Sequence, residues 1–333
     1  MQYGVHLPNS GPLASPEAIV TMATTAEQLG YDAVLIHDHV VWGRKDSQHN
    51  YAGSKELTDA RGGPVDFYEA FTIMSYVAAV TKRVRLIPGA LCLGWRPVGL
   101  MAREALTLHK LSGGRFVICV CVGDAQRDYD AMGMPWENRG KTMVENLKAL
   151  RAVIDSDSPV SFRAGSASVQ NEEWMPRLEG LKLWYAGVSD TAVKRAARYC
   201  DGWMGEDPCI FKTKAPMLRE EAEKAGRGDV KFEFTALEPG CIAETDQEAY
   251  EISRATLEVH TGGQWLNYMY PPSLGLQPRK DLLIGSPRKV MDGVRQYQEA
   301  GVTLLNMHFI AHSLGSILQQ METFAREVMP HVK

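Results

Sequence analysis

The sequence predicts an α/β fold, a (β/α)8 barrel of the TIM type, with insertions after the second strand and late in the chain. Short apolar runs alternate with helical segments along 333 residues, a length that suits a barrel of one domain. Eight such runs occur, and they are continuously apolar, as expected for parallel strands covered on both faces. A doubly wound open sheet is the alternative, but eight strand-helix units favour a closed barrel. We therefore assign residues 1–333 to a single domain.

The first strand-helix-strand unit is the most clearly marked. Residues 3–8 form a short apolar run that ends at a Pro-Asn-Ser-Gly turn. Ser15 followed by Pro16 is typical of a helix start, because Ser caps free backbone N–H groups and Pro fits the first helical turn. The predicted helix covers residues 17–29 and ends at Gly30. Residues 33–36 then form the second strand.

The same alternation continues to the end of the chain. The remaining predicted strands are 84–91, 116–122, 181–186, 202–204, 231–241 and 303–309. The remaining predicted helices are 99–111, 139–154, 191–199, 210–225, 247–259, 287–300 and 316–328. Residues 41–66 and 261–283 are longer than ordinary connections. We interpret both as insertions that cover the substrate, since each contains several aromatic residues, although these rings could equally pack the loops or form a subunit contact.

Charge and composition exclude several classes of partner. The net charge is −4, and Lys and Arg are scattered, which argues against nucleic acid and anionic membranes as partners. No apolar run reaches the roughly 18 residues of a membrane span, and the first residues lack the pattern of a signal peptide. We therefore expect a cytoplasmic protein. The six cysteines show no CxxC spacing, so buried reduced thiols are expected.

Candidate catalytic residues stand where the second strand ends. In barrels of this kind the chemistry takes place at the carboxyl ends of the strands. The second strand ends at Asp38 and His39, and a histidine beside a carboxylate can act as a proton acceptor near neutral pH. A helix- or loop-capping Asp next to an ordinary loop histidine would give the same dipeptide. Both interpretations stay open on these two residues alone.

A second candidate is the turn after the fifth strand. Gly187, Val188 and Ser189 lead directly into a helix, whose first N–H groups and positive dipole end favour a phosphate group. An ordinary N-cap at Ser189 gives the same pattern and is compatible with phosphate binding. The fourth strand similarly ends at Gly123 and Asp124.

The sequence does not predict a metal centre or a serine nucleophile. A metal site would draw on His37, His39 and His49, but no HExxH or comparable spacing supports it. No GxSxG motif occurs. The expected metal content is therefore none.

Several motifs in order resemble one known family. The segments GVHLPNSG, AEQLGYDAVLIHDHV, AAVTKRVRLIPGALCLGWRP, LTLHKLSGGRF and ARYCDGW, spread over most of the chain, resemble the bacterial luciferase-like family of flavin- and deazaflavin-dependent oxidoreductases. Each motif is weak alone, but their order and spacing are specific. The resemblance implies a (β/α)8 barrel that binds FMN or coenzyme F420 and a small-molecule substrate, commonly as a homodimer.

The resemblance also implies where the cofactor binds. Family members carry a non-proline cis peptide bond behind the cofactor ring at the end of the third strand, which here corresponds to Gly89 and Ala90. They hold the cofactor phosphate at the helix after the fifth strand. The implied cofactor-binding residues are Gly89, Ala90, Gly123, Gly187, Val188 and Ser189.

Catalytic roles follow from the same comparison. The end of the second strand resembles the branch of F420-dependent sugar-phosphate dehydrogenases, which implies His39 as proton acceptor, Trp42 as a stabiliser of the transferring centre and Asp124 as partner acid. Asp38 is then expected to orient His39. The sequence departs from that branch in having Asp instead of Glu at position 124 and one residue fewer between His39 and Trp42. The shorter acid has a shorter reach.

Three functional hypotheses result. The first is hydride transfer between F420 and a small organic substrate. The second is monooxygenation by reduced FMN, which needs a separate flavin reductase as partner. The third is a flavoprotein that only stores its cofactor. The end of the fourth strand, Cys-Val-Gly-Asp, does not match the sulfonate- and alkane-oxidising branch and so favours F420.

Overall fold

In the computed structural model of the chain, eight parallel strands close into a barrel. The structure describes residues 1–41, 66–157, 159–177, 179–261 and 282–332. The predicted insertions therefore lie almost wholly outside the described residues. In chain order the elements are β1 (Gln2–His6), α1 (Pro16–Leu29), β2 (Ala33–Ile36), α2 (Ala70–Val80), β3 (Arg85–Pro88), β4 (Leu91–Cys92), α3 (Val98–Leu111), β5 (Val117–Cys121), α4 (Gln126–Ala131), α5 (Arg139–Asp155), β6 (Val160–Ala164), β7 (Ala167–Glu172), β8 (Lys182–Ala186), α6 (Asp190–Tyr199), β9 (Gly202–Gly205), α7 (Pro208–Lys224), β10 (Glu233–Ile242), α8 (Asp246–Thr261), β11 (Ile284–Gly285), α9 (Pro287–Glu299), β12 (Leu304–Phe309) and α10 (Leu314–Glu327).

The barrel closes through strand pairs from both ends of the chain. Around the barrel the order is β1, β2, the pair β3 and β4, β5, β8, β9, β10 and β12, and β12 pairs with β1. The third barrel strand has two pieces: β3 pairs with β2, and β4 pairs with β5. All of these pairs are parallel, so the carboxyl ends of the strands meet at one rim. The predicted fold class is confirmed.

Helix α1 shows how local sequence sets the element boundaries. The Ser15 hydroxyl accepts a hydrogen bond from the N–H of Ala18, and Gly30 ends the helix with φ of 89°, a conformation that favours glycine. The buried face of the helix consists of Ala18, Ile19, Met22, Ala23 and Ala26. This arrangement confirms the predicted start and end of the helix.

The interior of the barrel is filled by side chains from alternate positions of the strands. The buried inner cluster consists of Ala33, Leu35, Ile87, Val117, Cys119, Trp184, Met204 and Leu304. A larger cluster packs between the strands and the surrounding helices. Gly4 is required by this packing, because a Cβ there would lie 2.0 Å from Oδ1 of Asn306. The strands are thus buried on both faces, as their continuous apolar sequences predict.

Several elements differ from the prediction. Helix α2 is missed because nearly all its residues are apolar, so no polar face marks the helical period. The hairpin of β6 and β7 is also missed, since its residues are mostly exposed and polar. The strand predicted at 84–91 is interrupted at Gly89 and Ala90. All six cysteines are free thiols, four of them buried. None of the helices in the described ranges is long and apolar enough to cross a membrane.

Candidate active site at the barrel mouth

The predicted site residues that the structure describes all follow the carboxyl ends of barrel strands. Asp38 and His39 follow β2, and Gly89 and Ala90 separate β3 from β4. Gly123 and Asp124 follow β5, whereas Gly187, Val188 and Ser189 follow β8. Because the strands are parallel around a closed barrel, these segments share one rim. Trp42 lies outside the described residues.

His39 is held by a carboxylate that sequence reasoning did not identify. Its Nδ1 lies 2.9 Å from Oδ2 of Asp128, in the first turn of α4, and the Asp128 side chain is fully buried. Oδ1 of Asp128 accepts hydrogen bonds from the N–H groups of Val40 at 3.0 Å and Val41 at 2.9 Å. Burial alone would raise the pKa of the Asp128 carboxyl, but the hydrogen bonds from His39, Val41 and Val40 lower it. Asp128 is therefore an ionised carboxylate whose hydrogen bonds hold His39 and the backbone of the two following residues in place.

This contact defines how His39 can handle a proton. A carboxylate only accepts hydrogen bonds, so Nδ1 of His39 carries the hydrogen and the lone pair of the neutral ring is on Nε2. The His39 side chain is 21% exposed, and its ring contacts Phe67 and Trp95 at centroid distances of 5.8 and 6.1 Å. A histidine that is fixed on one side and partly open to solvent can take up or deliver a proton.

Asp38 does not orient His39, contrary to expectation. Its side chain is fully buried. The carboxylate forms an ion pair with both terminal nitrogens of Arg96, with 2.6 Å between Oδ1 and Nη2, and accepts the N–H of Cys92 at 3.0 Å. Burial alone would lower the pKa of the Arg96 guanidinium, but Asp38 raises it above its usual value. Since the pair ties the end of β2 to β4 and its following loop, Asp38 is a structural residue at the rim. The carboxylate in contact with His39 is that of Asp128.

Two alanines and a leucine form an apolar surface, here called the floor, on the inner cluster of the barrel. Ala90, Ala186 and Leu237 are partly buried and pack on the inner cluster of the barrel. The peptide bond between Gly89 and Ala90 is cis, as the resemblance implies. A Cβ at Gly89 would lie 3.3 Å from both Leu35 and Met204, so the backbone itself packs closely here. A floor of backbone and methyl groups suits a flat ring system.

The turn after β5 also depends on a glycine. Gly123 has φ of 75°, and a Cβ at this position would lie 2.3 Å from Sγ of Cys92. The next residue, Asp124, is exposed at the rim. The described contacts also join His39 to Asp128, which lies four residues beyond Asp124.

The turn after β8 retains the features of a phosphate site. Gly187 has φ of 139°, and the Ser189 hydroxyl caps α6 by accepting the N–H of Ala192 at 3.2 Å. The first-turn N–H groups of α6 point out of the helix end, as at any helix N-terminus. Asp190 adds a negative charge there, but it forms an ion pair with Lys214, which lowers the pKa of its carboxyl. The Lys214 ammonium gives this turn a cation within reach of an anionic group.

Comparisons with known proteins agree with this architecture. Residues 1–304 match the model of the luciferase-like monooxygenase family, so the chain belongs to that family. An uncharacterized protein of Mycobacterium tuberculosis is 31% identical over 214 residues, 62% of this chain and 72% of the relative. An FMNH2-dependent dimethylsulfone monooxygenase of Pseudomonas putida is 24% identical over 314 residues, 86% of this chain and 85% of that protein.

Solved structures show the same fold. An F420-dependent secondary alcohol dehydrogenase, solved with an F420-acetone adduct, has a TM-score of 0.78 at 19% identity, covering 100% of this chain and 99% of that one. The oxygenating constituent of the FMN-bound 3,6-diketocamphane monooxygenase of Pseudomonas putida has a TM-score of 0.72 at 16% identity, with 100% and 99% covered. Proteins of this fold therefore include both F420- and FMN-dependent enzymes.

Proposed function

We propose that this chain is an F420-dependent oxidoreductase that transfers a hydride to or from a small organic substrate, with His39 as the proton acceptor. The observation that carries the proposal is the contact between His39 and the buried carboxylate of Asp128 at the barrel mouth. Interconversion of an alcohol and a carbonyl compound moves a proton as well as a hydride, and this pair provides a site for that proton.

The residues at the mouth fit a cofactor with a flat ring and a phosphate. The floor of Ala90, Ala186 and Leu237 offers an apolar surface to a ring. The first turn of α6, with Lys214 beside it, offers N–H donors and a positive charge to a phosphate. When bound, F420 would supply the hydride donor or acceptor.

The chain's own residues then account for the proton. In alcohol oxidation the hydroxyl proton passes to Nε2 of His39 as the carbon loses its hydride. The charged imidazolium that forms is stabilised by Asp128, which stays ionised, and the proton is returned in the reverse reaction. Trp42 is proposed to stabilise the transferring centre, and the exposed Asp124 to act as the partner acid, as the family resemblance implies.

Binding titrations of the purified protein with F420 and with FMN test the choice of cofactor. We expect tight binding of F420 and weak binding of FMN. Turnover is then assayed without oxygen on a panel of small alcohols, aldehydes and unsaturated compounds. The variant His39→Gln should keep F420 binding and lose turnover, whereas replacement of the exposed His312 should change neither. Tight FMN binding without affinity for F420 would contradict the proposal.

The second candidate function is monooxygenation with reduced FMN. It is favoured by the names of sequence relatives, which include the dimethylsulfone monooxygenase and a pyrimidine monooxygenase of Cronobacter turicensis that is 28% identical over 245 residues. This function requires a reductase to supply the flavin, and oxygen consumption on addition of reduced FMN and substrate would distinguish it. For either function we propose a homodimer, as the family resemblance implies, and a cytoplasmic location, as expected from the sequence; light scattering tests the dimer.

A further inference from the structure

Three histidines meet at the barrel mouth on three neighbouring strands. His6 ends β1, His37 follows β2 and His308 lies in β12, and these strands are adjacent in the barrel. Each histidine continues the inward-facing set of its strand, which includes Gly4 in β1, Leu35 in β2 and Leu304 in β12. One ring nitrogen from each histidine lies within 4.8 Å of the other two. The ring centroid of His6 is 4.0 Å from that of His37 and 4.5 Å from that of His308.

His6 lacks the partners that a buried imidazole needs. It is 4% exposed, and neither of its ring nitrogens makes a hydrogen bond to any residue in the described part of the chain. A buried polar group that is left unpaired destabilises the fold. A neutral imidazole with an unshared lone pair is the form that binds metal ions, and a bound ion would give the buried His6 ring the partner it lacks.

We propose that His6, His37 and His308 bind a divalent transition metal ion of the Zn²⁺ type. Imidazole ligands suit Zn²⁺, Co²⁺, Ni²⁺ and Fe²⁺, whereas Mg²⁺ and Ca²⁺ prefer oxygen ligands. With metal-nitrogen distances of about 2.0–2.1 Å, ligand nitrogens lie about 3.3 Å apart in a tetrahedral site. The three ring nitrogens, which lie within 4.8 Å of one another, would move closer together on binding the ion.

Three protein ligands leave a position of the metal open to the substrate. An ion held there lies on the inner face of the β2 end, two residues from His39, and would polarise a substrate oxygen as a Lewis acid. The inference is independent of which cofactor the protein uses. This set of ligands was not predicted from sequence, because His6 and His308 come from opposite ends of the chain and no local spacing joins them to His37.

Metal titration of the tag-free, chelator-treated protein tests the site directly. We expect one equivalent of Zn²⁺ by calorimetry, and a visible Co²⁺ spectrum of a nitrogen-coordinated ion. His6→Ala and the size-conserving His308→Gln should each weaken binding by more than about 100-fold, since even residues that only support metal ligands contribute 10- to 100-fold. His331→Ala, which removes an exposed histidine, is the matched control, and circular dichroism confirms that each variant is folded.

Two outcomes would overturn the proposal. One is a wild-type protein that binds neither Zn²⁺ nor Co²⁺ stoichiometrically. The other is binding that is equally strong in His308→Gln and in His331→Ala, because the ion would then sit elsewhere on the protein.

Discussion

Replacing Asp128 by Asn tests the role of this carboxylate in orienting His39. The substitution keeps the size of the side chain. Oδ1 accepts two backbone N–H groups, those of Val40 and Val41, so the amide oxygen of Asn should remain there. The amide NH2 then faces Nδ1 of His39, where the carboxylate Oδ2 stood at 2.9 Å. Since an NH2 group donates hydrogen bonds, His39 has to change tautomer and carry its hydrogen on Nε2.

The expected loss follows from the loss of the proton acceptor. General acid-base catalysis contributes about 100- to 10,000-fold to a rate. We therefore expect kcat to fall by about that factor in Asp128→Asn, which corresponds to about 2.7–5.4 kcal/mol at 1.36 kcal/mol per tenfold change. Cofactor binding should be unchanged. The free energy of unfolding should fall by about 1–3 kcal/mol, the usual cost of impairing a buried hydrogen bond.

Nitrogen NMR of histidine-labelled protein provides the assay beside kinetics, because it reports which ring nitrogen carries the hydrogen. We expect the Nδ1–H form of His39 in the wild type and the Nε2–H form in the variant. Asp130→Asn changes an exposed acid in the same helix and should alter neither the tautomer nor kcat. Retention of the Nδ1–H form together with wild-type kcat in Asp128→Asn would refute the positioning role.

Three further perturbations test the structure of the rim. Arg96→Met leaves the buried Asp38 carboxylate without its ion-pair partner, so chemical denaturation should show a loss of about 3–5 kcal/mol, and a loss below about 1 kcal/mol would contradict the buried pair. In the same assay, Gly123→Ala should lower the free energy of unfolding more than Gly113→Ala. Both glycines have positive φ, but of the two only Gly123 would bring a Cβ into collision, 2.3 Å from Sγ of Cys92. Equal losses of unfolding free energy in the two variants would contradict the collision. Burial alone would raise the pKa of the Glu69 carboxyl, but hydrogen bonds from Thr72 and Phe71 lower it below 4.5. The ionised form of Glu69 therefore stabilises the fold at neutral pH. This contribution is lost as the pH falls through the folded-state pKa. Melting temperatures of Glu69→Gln should accordingly fall less than those of the wild type on acidification below about pH 4.5, and parallel curves would contradict the assignment.

The order of barrel strands follows from sequence because each strand is short, apolar and bounded by a turn signal. Ser15 and Gly30 mark both ends of α1, and the structure places them as its caps. Helix α2 could not be predicted in the same way, because a helix that is apolar on nearly every side shows no periodic alternation of apolar and polar residues.

The position of His39 at the rim was also predictable, because it follows from the end of a strand. The partner of His39 could not be predicted, because Asp128 lies in α4, after β5, whereas His39 follows β2. The pairing of Asp38 with Arg96 joins residues 58 positions apart, and such contacts depend on tertiary packing.

Deuterium transfer tests the central claim of hydride chemistry at this mouth most directly. An alcohol that is turned over is labelled with deuterium on the carbinol carbon and incubated with the wild-type protein and oxidised F420 in the absence of oxygen. We expect the label to appear on the reduced cofactor, with no release into water, and His39→Gln to slow its transfer. Release of the deuterium into solvent, or product formation that requires oxygen and FMN, would contradict hydride transfer by this protein.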